Sequence, residues 1–361
     1  MSVVIERLSQ HNFPDYEQLV IESKYSMFTH SLKFRNFIQE MCPESRENYL
    51  LARVDDQVVA ALPMFIQEDR EGAVLNSLPF FGSHGGIIWR HSCDEEVESG
   101  LATEIRKLQN ATQARSLTII ESPLRSELSL GLRLNQTHFD TRVAQISSLP
   151  RVVAGDSMED VVMKNLPGKV RNTIRKAARY DPAILEGGGE EAMRVLYEMH
   201  YAETVTRSRR AKNWDTFRLI AKSFDYGEDY RIYLAREDST WAAGLLVFYF
   251  KDYVEYFIPV VDGRFREHET LTALIYRAMV DAVGERRSAR WNWGGTWKTQ
   301  EGLYQFKRRW GARDFPYRYI VSLEGDALPT AQEVTAWLDR YPNFYYFPLD
   351  ATHGAPELRC I

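Results

Sequence analysis

Two stretches of the chain repeat one alternation of apolar and polar positions. Tyr49–Phe65 reads YLLARVDDQVVAALPMF and Ile232–Phe248 reads IYLAREDSTWAAGLLVF. Each is an apolar run, a polar turn and a second apolar run, the pattern of a β-hairpin. Aligned without gaps they share Leu51/Leu234, Ala52/Ala235, Arg53/Arg236, Asp55/Asp238, Ala60/Ala243, Leu62/Leu245 and Phe65/Phe248. The flanks agree as well. Helical sequence precedes each hairpin, over Phe13–Met41 and Glu190–Phe224, and further strand candidates, a helix and a last strand follow each. After the second hairpin the helix is predicted over Glu269–Arg286, with Leu271, Leu274, Ile275, Ala278 and Ala282 on one face. After the first it is predicted over Asp94–Ala111, followed by a strand over Ser116–Glu121. The longest apolar run, Ala242–Phe250, is too short to cross a bilayer and suits a buried strand.

The pattern therefore predicts a duplicated αα-ββ(β)-α-β arrangement: an α/β chain of two tandem domains, each a mixed sheet flanked by helices. The boundary is expected in LPRVVAGD, around Pro150–Gly155, giving domains 1–150 and 151–361. A length of 361 residues exceeds what one hydrophobic core usually supports, and 44% hydrophobic with 26% charged residues is an ordinary globular balance. A net charge of −5 argues against coating nucleic acid with the whole surface, so any anion binding must come from local patches. Cys42, Cys93 and Cys360 are odd in number and far apart, which suits a reducing compartment. The opening MSVVIERLSQHNF lacks a signal-peptide pattern, and a cytoplasmic protein is expected. No HxxxH or carboxylate–His cluster points to a metal.

The densest charge feature is KNLPGKVRNTIRKAAR, Lys164–Arg179, with no acidic residue between Asp160 and Asp181. On a helix Arg171, Arg175 and Arg179 form one ridge. Either phosphate meets this ridge, since guanidinium matches its oxygens, or acidic residues elsewhere in the fold balance a solvated face. Further basic clusters are RSRRAK, Arg207–Lys212, and YQFKRRWGAR, Tyr304–Arg313. In WNWGGTWKTQEG a short strand runs into Gly294-Gly295 and a helix. That geometry exposes backbone N–H groups suited to an anion or oxyanion, although a glycine pair is also simply a turn. Glu255, in YVEYFIPVV, is a candidate general base, with Tyr256 on the opposite strand face. His200 and Tyr201 read as packing residues, His268 as a helix-terminus residue, and the aromatics of NFYYFPL, Asn343–Leu349, as a seal for the C-terminal tail.

Three stretches give the chain a family resemblance: KVRNTIRKAARYD, a basic helix of the form K-x-R-x-x-I-R-x-A; LPFFGSHGGIIW, Leu78–Trp89, a Pro/Gly loop; and GGTWKTQEGLYQFKRRWGA, ending in a G-L-x-x-F-K-x-x-W/F-G motif. Together with the repeat, and over nearly the whole chain, they resemble the FemAB-like branch of the GNAT superfamily. These are tandem-GNAT enzymes that move an amino acid from aminoacyl-tRNA onto cell-wall precursors. The resemblance implies that Lys307 stabilises the transition state of acyl transfer with Phe306 beside it. It also implies that Arg171 and Arg175 bind phosphates of a nucleotide- or lipid-linked acceptor, and that Lys33 contacts the acceptor. The chain departs from the family in two places. His84 stands where the loop commonly carries Tyr, which would alter acceptor fit, and RSRRAKNW lacks the Gly-Thr-Pro that many relatives show. GNAT enzymes that use acyl-CoA hold its pyrophosphate in a glycine-rich turn. The corresponding VVDGRFREHETLTALIY contains only Gly263, and a Cβ obstructs close backbone approach. The expected function is amide formation from an aminoacyl-tRNA donor onto an amine of a phosphate-bearing acceptor, without a redox or metal cofactor and without DNA. An acyl-CoA-dependent N-acyltransferase acting on an amino sugar, and a non-catalytic binding protein, are the alternatives.

Overall fold

The computed structural model describes residues 3–70, 72–80, 84–124, 134, 138–206, 211–297, 300–325 and 330–347. Arg207–Arg210 of the second basic cluster, Cys360, and part of the Pro/Gly loop lie outside them. The chain divides into two compact units: Met1–Arg142 with Pro316–Arg359, and Val143–Phe315. The expected division at 150/151 differs from this in two ways. The second unit starts at Val143, and the chain returns to the first unit at Pro316. No described helix is long and apolar enough to cross a membrane.

The first unit opens with β1 (Val3–Arg7), α1 (Phe13–Glu22), α2 (Leu32–Met41), β2 (Ser45–Glu47), β3 (Leu50–Val54) and β4 (Gln57–Leu62). It continues with β5 (Phe65–Asp69), β6 (Gly72–Asn76), β7 (Ile88–Trp89), α3 (Glu95–Thr112) and β8 (Ala114–Ile120). The strand β9 (His138–Ser148) leads into the second unit. There follow α4 (Met158–Asn165), α5 (Gly168–Ala177), β10 (Ala183–Gly187), α6 (Glu190–Thr206), α7 (Trp214–Ser223), β11 (Tyr230–Glu237), β12 (Thr240–Phe250) and β13 (Tyr253–Val261). The unit ends with α8 (Thr270–Gly284), β14 (Arg290–Thr296) and α9 (Glu301–Arg309), after which β15 (Arg313–Leu323) returns to the first unit, followed by α10 (Ala331–Arg340).

Strands β10, β11, β12, β13, β14 and β9 lie in that order in the second unit. Only β13 and β14 pair in parallel, joined through α8. Strand alternation decides which helix each face of this sheet meets. Ala243, Leu245 and Val247 of β12 share a buried cluster with Leu274, Ile275 and Ala278 of α8. Gly244, one residue out of phase, faces Leu196 of α6, where a Cβ would come within 2.8 Å of its Cδ1. The sheet is thus covered by helices on both faces. In the first unit β6 and β8 are the parallel pair, and Leu101 and Ile105 of α3 pack with Leu50, Leu75 and Leu117.

The repeat seen in the sequence recurs in the pairing of the two hairpins. In β3–β4 the register runs Leu51↔Ala61, Ala52↔Ala60, then shifts by a bulge to Arg53↔Val58. In β11–β12 it runs Leu234↔Gly244, Ala235↔Ala243, then shifts to Arg236↔Trp241. Each residue of one set is the aligned counterpart of a residue in the other. The turns agree too: Asp55 and Asp238 both take positive φ, 46° and 53°. A bulge at one equivalent position is a feature that chance similarity of two strands does not produce.

Leu245 is fully buried whereas Ile184 on β10 is 37% exposed. Leu245→Ala is expected to cost about 2–5 kcal/mol of unfolding free energy in urea titration, and Ile184→Ala no more than about 0.5 kcal/mol.

Candidate active site

Strands β13 and β14 pair at three positions, Tyr253↔Arg290, Val254↔Trp291 and Glu255↔Asn292. The last pair is polar and buried: Asn292 Nδ2 donates to Glu255 Oε2 at 2.7 Å, and Glu255 is 5% exposed. Immediately beyond it β14 bulges against β9, its register shifting between Asn292 and Gly295. Gly294 takes φ +72°, a conformation L side chains rarely adopt, and its N–H donates to Asn292 Oδ1 at 3.0 Å. This turn aims two carbonyls at one ammonium. Lys307 of α9 donates from Nζ to Gly294 O at 3.1 Å, Gly295 O at 3.0 Å and Thr296 Oγ1 at 2.8 Å. Three acceptors meet the three N–H donors of a side chain that is only 2% exposed. Thr296 Oγ1 in turn donates to Gln145 Oε1 at 3.2 Å, and Gln145 Nε2 donates to Tyr304 O, which returns the network to α9.

The electrostatics follow from burial. Desolvation pushes the Lys307 ammonium down to about 7, against the upward pull of Glu255. Desolvation likewise pushes Glu255 up to about 8, opposed by the Asn292 hydrogen bond and the Lys307 charge. A base and an acid that both change charge near neutrality therefore flank one turn, an arrangement suited to moving a proton. Aromatic rings dry the region. Trp293 lies 5.1 Å from Tyr256, 5.4 Å from Trp310 and 5.9 Å from Phe306, measured between ring centroids. Its Nε1 donates to Ser147 Oγ at 2.9 Å, and that hydroxyl donates to Trp310 O at 3.0 Å. Burial raises the Tyr256 hydroxyl well above the ordinary tyrosine value, helped by the charge of Glu203.

Phe306, beside Lys307 in α9, lines a pocket of about 330 Å³ together with Lys169 and Thr173 of α5, Glu269 and Thr272 at the head of α8, and Arg309. Helix α5 buries Val170, Ile174 and Ala177. Lys164, Lys169, Arg171, Arg175, Lys176 and Arg179 form no ion pair among the described residues. Acids elsewhere in the described fold therefore do not balance the basic stretch. Arg171 is half-buried and Arg175 exposed, with Arg175 donating to Asn172 Oδ1 at 3.0 Å. Arg179 falls in the 3-10 turn Ala178–Tyr180 after α5, so the expected ridge is two arginines long.

Other expectations change in the structure. The glycine pair was expected to present N–H groups to an anion. Instead its carbonyls accept from Lys307 and the Gly294 N–H is taken by Asn292, because the turn must satisfy a buried cation. His84 was expected where acceptor fit is set. Its ring is buried in the first unit, edge-on to Tyr317 at 4.8 Å and 3.3 Å from Glu121 O, and burial lowers it to about 4. Lys33 is a half-buried residue in the first turn of α2, also in the first unit. His268 stacks on Tyr180 and contacts Glu237 at 2.5 Å, and His200 packs on Phe217. Asn292, Gln145 and Thr296 were missed, and Lys169 and Arg309 were noted only as members of basic clusters. The signal available for Asn292 was its place in a parallel pair opposite Glu255, which requires the register.

Residues 167–314 match the family described as acetyltransferase (GNAT) domain. The chain carries a GNAT acyltransferase domain. Among solved structures it is similar to FemX, with TM-score 0.69 at 11% identity over 93% of this chain and 100% of that one. It is also similar to a tandem GNAT protein from the clavulanic acid biosynthesis pathway, with TM-score 0.52 at 13% identity over 91% and 100%. A third is the C-terminal domain of a putative lysylphosphatidylglycerol synthetase from Agrobacterium fabrum, with TM-score 0.51 at 12% identity over 91% and 95%. No curated protein matches the chain in sequence. At these identities the likeness establishes the fold, two tandem GNAT-like domains with mixed sheets flanked by helices, as the repeat predicts. Glu255, the Gly294–Thr296 turn and Lys307 all lie inside the matched GNAT domain.

A carboxyl raised by folding contributes stability that is fully present below its ordinary value of 4.5 and is lost as pH climbs through about 8. Lys307, displaced downward, acts in the opposite sense above about 7, so Glu255 is read alone between pH 4.5 and 7. Over that window the unfolding free energy of the wild type should fall relative to Glu255→Gln, by at most about 1.4 kcal/mol per pH unit. Parallel curves from urea unfolding at several pH values would take Glu255 out of this role.

Proposed function

We propose that the protein transfers an aminoacyl group from aminoacyl-tRNA to an amine on a phosphate-bearing acceptor of the cell envelope, forming an amide. The observation that carries this reading is the buried cluster of Lys307, Glu255 and Asn292 around the Gly294–Thr296 turn, beside a basic helix that forms no ion pair among the described residues. In the reaction the amine nitrogen attacks the ester carbonyl of the donor. A C–N bond forms, the carbonyl oxygen becomes an oxyanion, and the ester C–O bond then breaks to release the tRNA hydroxyl. Lys307 steadies the oxyanion by charge, its three hydrogens being held by the Gly294–Thr296 turn. Glu255, in its ionised form, takes the proton that the attacking nitrogen must lose, and the leaving hydroxyl receives one in turn. Arg171 and Arg175 hold the acceptor's phosphate, with Lys33 as a further acceptor contact. The similarity to FemX and to a lysylphosphatidylglycerol synthetase domain supports this reading.

One observation favours a second reading, acyl transfer from a CoA thioester: the matched domain is described as an acetyltransferase. The head of α8 speaks for the first. Glu269 is its N-cap at φ 62°, and the buried Glu237 accepts from Thr270 of its first turn. Two carboxylates where GNAT enzymes hold pyrophosphate repel it.

Purified protein given charged tRNA or a panel of acyl-CoA thioesters, each with a small-molecule extract as acceptor source, is expected to consume charged tRNA in an acceptor-dependent manner. Turnover of a thioester alone would replace the first reading with the second. Lys307→Met should lower kcat by about 10²–10³-fold with little change in either KM; an effect on KM alone would remove Lys307 from the chemistry. Arg171→Ala should raise the acceptor KM about tenfold, the loss of one charge-assisted contact. An unchanged acceptor KM would return Arg171 to a surface role.

A further inference from the structure

Helix α9 does not hold itself in place. It has nine residues, too few for a stable helix in isolation, and Lys307 is the one side chain within it that is fully buried. Leu303 is 39% exposed and Phe306 half-buried. A short helix usually docks by an apolar stripe, whereas here the buried position is a cation and the apolar anchor, Trp310, stands at the C-terminal cap. The place of Lys307 is therefore fixed from outside the helix.

Strand β9 supplies the ties. Gln145 and Ser147 are two residues apart, so they share one face of the strand, and both are buried. Gln145 stands against the bulge of β14: Ile146 pairs with Asn292 and Ala144 with Gly295, which leaves Trp293 and Gly294 opposite one residue. Each of the two side chains bridges β14 to α9. Gln145 Oε1 accepts from Thr296 Oγ1 at 3.2 Å while its Nε2 donates to Tyr304 O at 3.3 Å. Ser147 Oγ accepts from Trp293 Nε1 at 2.9 Å and donates to Trp310 O at 3.0 Å. Tyr304 and Trp310 lie three residues before and three after Lys307, so the backbone is held on both sides of the lysine. Gln145 also sets the direction of a proton. Tyr304 O can only accept, so it meets the amide Nε2, and the carbonyl end is left for Thr296. The single Thr296 hydroxyl proton goes to Gln145, which leaves the oxygen lone pairs for the Lys307 ammonium at 2.8 Å. The charged neighbour of that ammonium is Glu255 of β13; Gln145 and Ser147 are neutral and act by hydrogen bonding.

We propose that Gln145 and Ser147 are positioning residues for Lys307: together they fix α9 against β14, and Gln145 keeps the Thr296 oxygen available to the ammonium. Both precede the stretch 167–314 that matches the GNAT domain, so the lysine is seated by a strand outside the matched segment. Their role in turnover rests on the acyl-transfer reading; the seating of the ammonium is independent of it.

The test is the titration of Lys307 itself, followed by NMR of the full chain labelled with 13C at lysine Cε, its resonance assigned by its absence in Lys307→Met. Loss of the Thr296 acceptor disfavours the charged amine, so in Gln145→Met the midpoint is expected to fall by about 0.5–1 pH unit. Gln145→Asn, which keeps the amide on a shorter stem, is the milder variant and should move the midpoint the same way. Gln145→Met and Ser147→Ala are each expected to lower kcat on the order of tenfold with both KM values unchanged. Tyr233→Phe is the control. It cuts a buried hydrogen bond of the same unit, 3.1 Å between the Tyr233 and Tyr249 hydroxyls, that involves neither α9 nor β14. It should weaken the fold to urea and leave the midpoint and kcat as in the wild type. A midpoint that stays or rises in both Gln145 variants, or an equal fall in Tyr233→Phe, overturns the proposal. So does a Ser147→Ala loss carried by KM alone; circular dichroism establishes that each variant is folded. Should the wild type consume no donor, the acyl-transfer reading fails, while the titration still decides what Gln145 does to Lys307.

Discussion

A primary ammonium at 2% exposure has to be met by acceptors or lose its charge. Lys307 meets that requirement with backbone, and the geometry around it follows. Two consecutive carbonyls reach one nitrogen only if β14 leaves its regular pleat, so the strand bulges after Asn292 and Gly294 takes a positive φ. The bulge frees Asn292 to bind Glu255 on one side and the Gly294 N–H on the other. That tie holds a carboxyl in the same dry region as the ammonium. Removing the cation would leave three acceptors facing a cavity; removing the bulge would leave the cation with one. The two features are therefore a single structural unit, and the parting of β13 and β14 after Glu255 begins at it.

The duplicated fold shows how the same pairing can be put to another use. In the first unit the parallel strands β6 and β8 pair Asn76 with Thr118 at the end of their shared register, a position comparable to Glu255 and Asn292. Here the polar side chains face the chain's own C-terminal segment. Asn76 accepts from the Tyr345 N–H at 2.7 Å and donates to Tyr345 O at 2.6 Å, and Thr118 donates to the same carbonyl at 3.1 Å. Ser116 adds a bond to Tyr346 O. Backbone satisfies in the first unit the polar side chains that in the second unit a carboxyl–amide pair satisfies between themselves.

The hairpins, their helical flanks and the duplication were legible in the sequence because they depend on local periodicity, and the matching bulges are the same information in three dimensions. Lys307, Phe306, Glu255 and Tyr256 were singled out in the sequence, and the structure brings them into one neighbourhood. What could not be read were relations across strands. The Glu255–Asn292 pair depends on the β13–β14 register, and the Thr296–Gln145–Tyr304 chain joins β14, β9 and α9, which are far apart in sequence. The direction of the Gly294–Gly295 peptides was misread because a glycine pair can present either N–H or C=O groups, and only the buried cation decides. His84 looked functional by position in a loop, while its burial against Tyr317 is a tertiary fact. The return of the chain to the first unit at Pro316 leaves no local mark at all.

The balance of forces on α5 shows why it forms although its cations have no ion-pair partner among the described residues. Like charges one turn apart destabilise a helix by a few tenths of a kcal/mol per pair, and α5 carries such a pair at Arg171 and Arg175. Against this, burying a side chain such as Val170 or Ile174 stabilises by about 1.5–3 kcal/mol each, and both lie in the core with Leu166 and Val162 of the preceding turn and helix. The apolar stripe therefore outweighs the repulsion several-fold, and the helix needs no acid partner to form. Cations that a fold tolerates without pairing keep their full electrostatic attraction for an incoming anion, because no internal ion pair has first to be broken. The same stripe fixes their directions, sending Lys169 to one side and Arg171 to the other. A short amphipathic helix thereby presents two separate positive flanks on a chain whose net charge is −5.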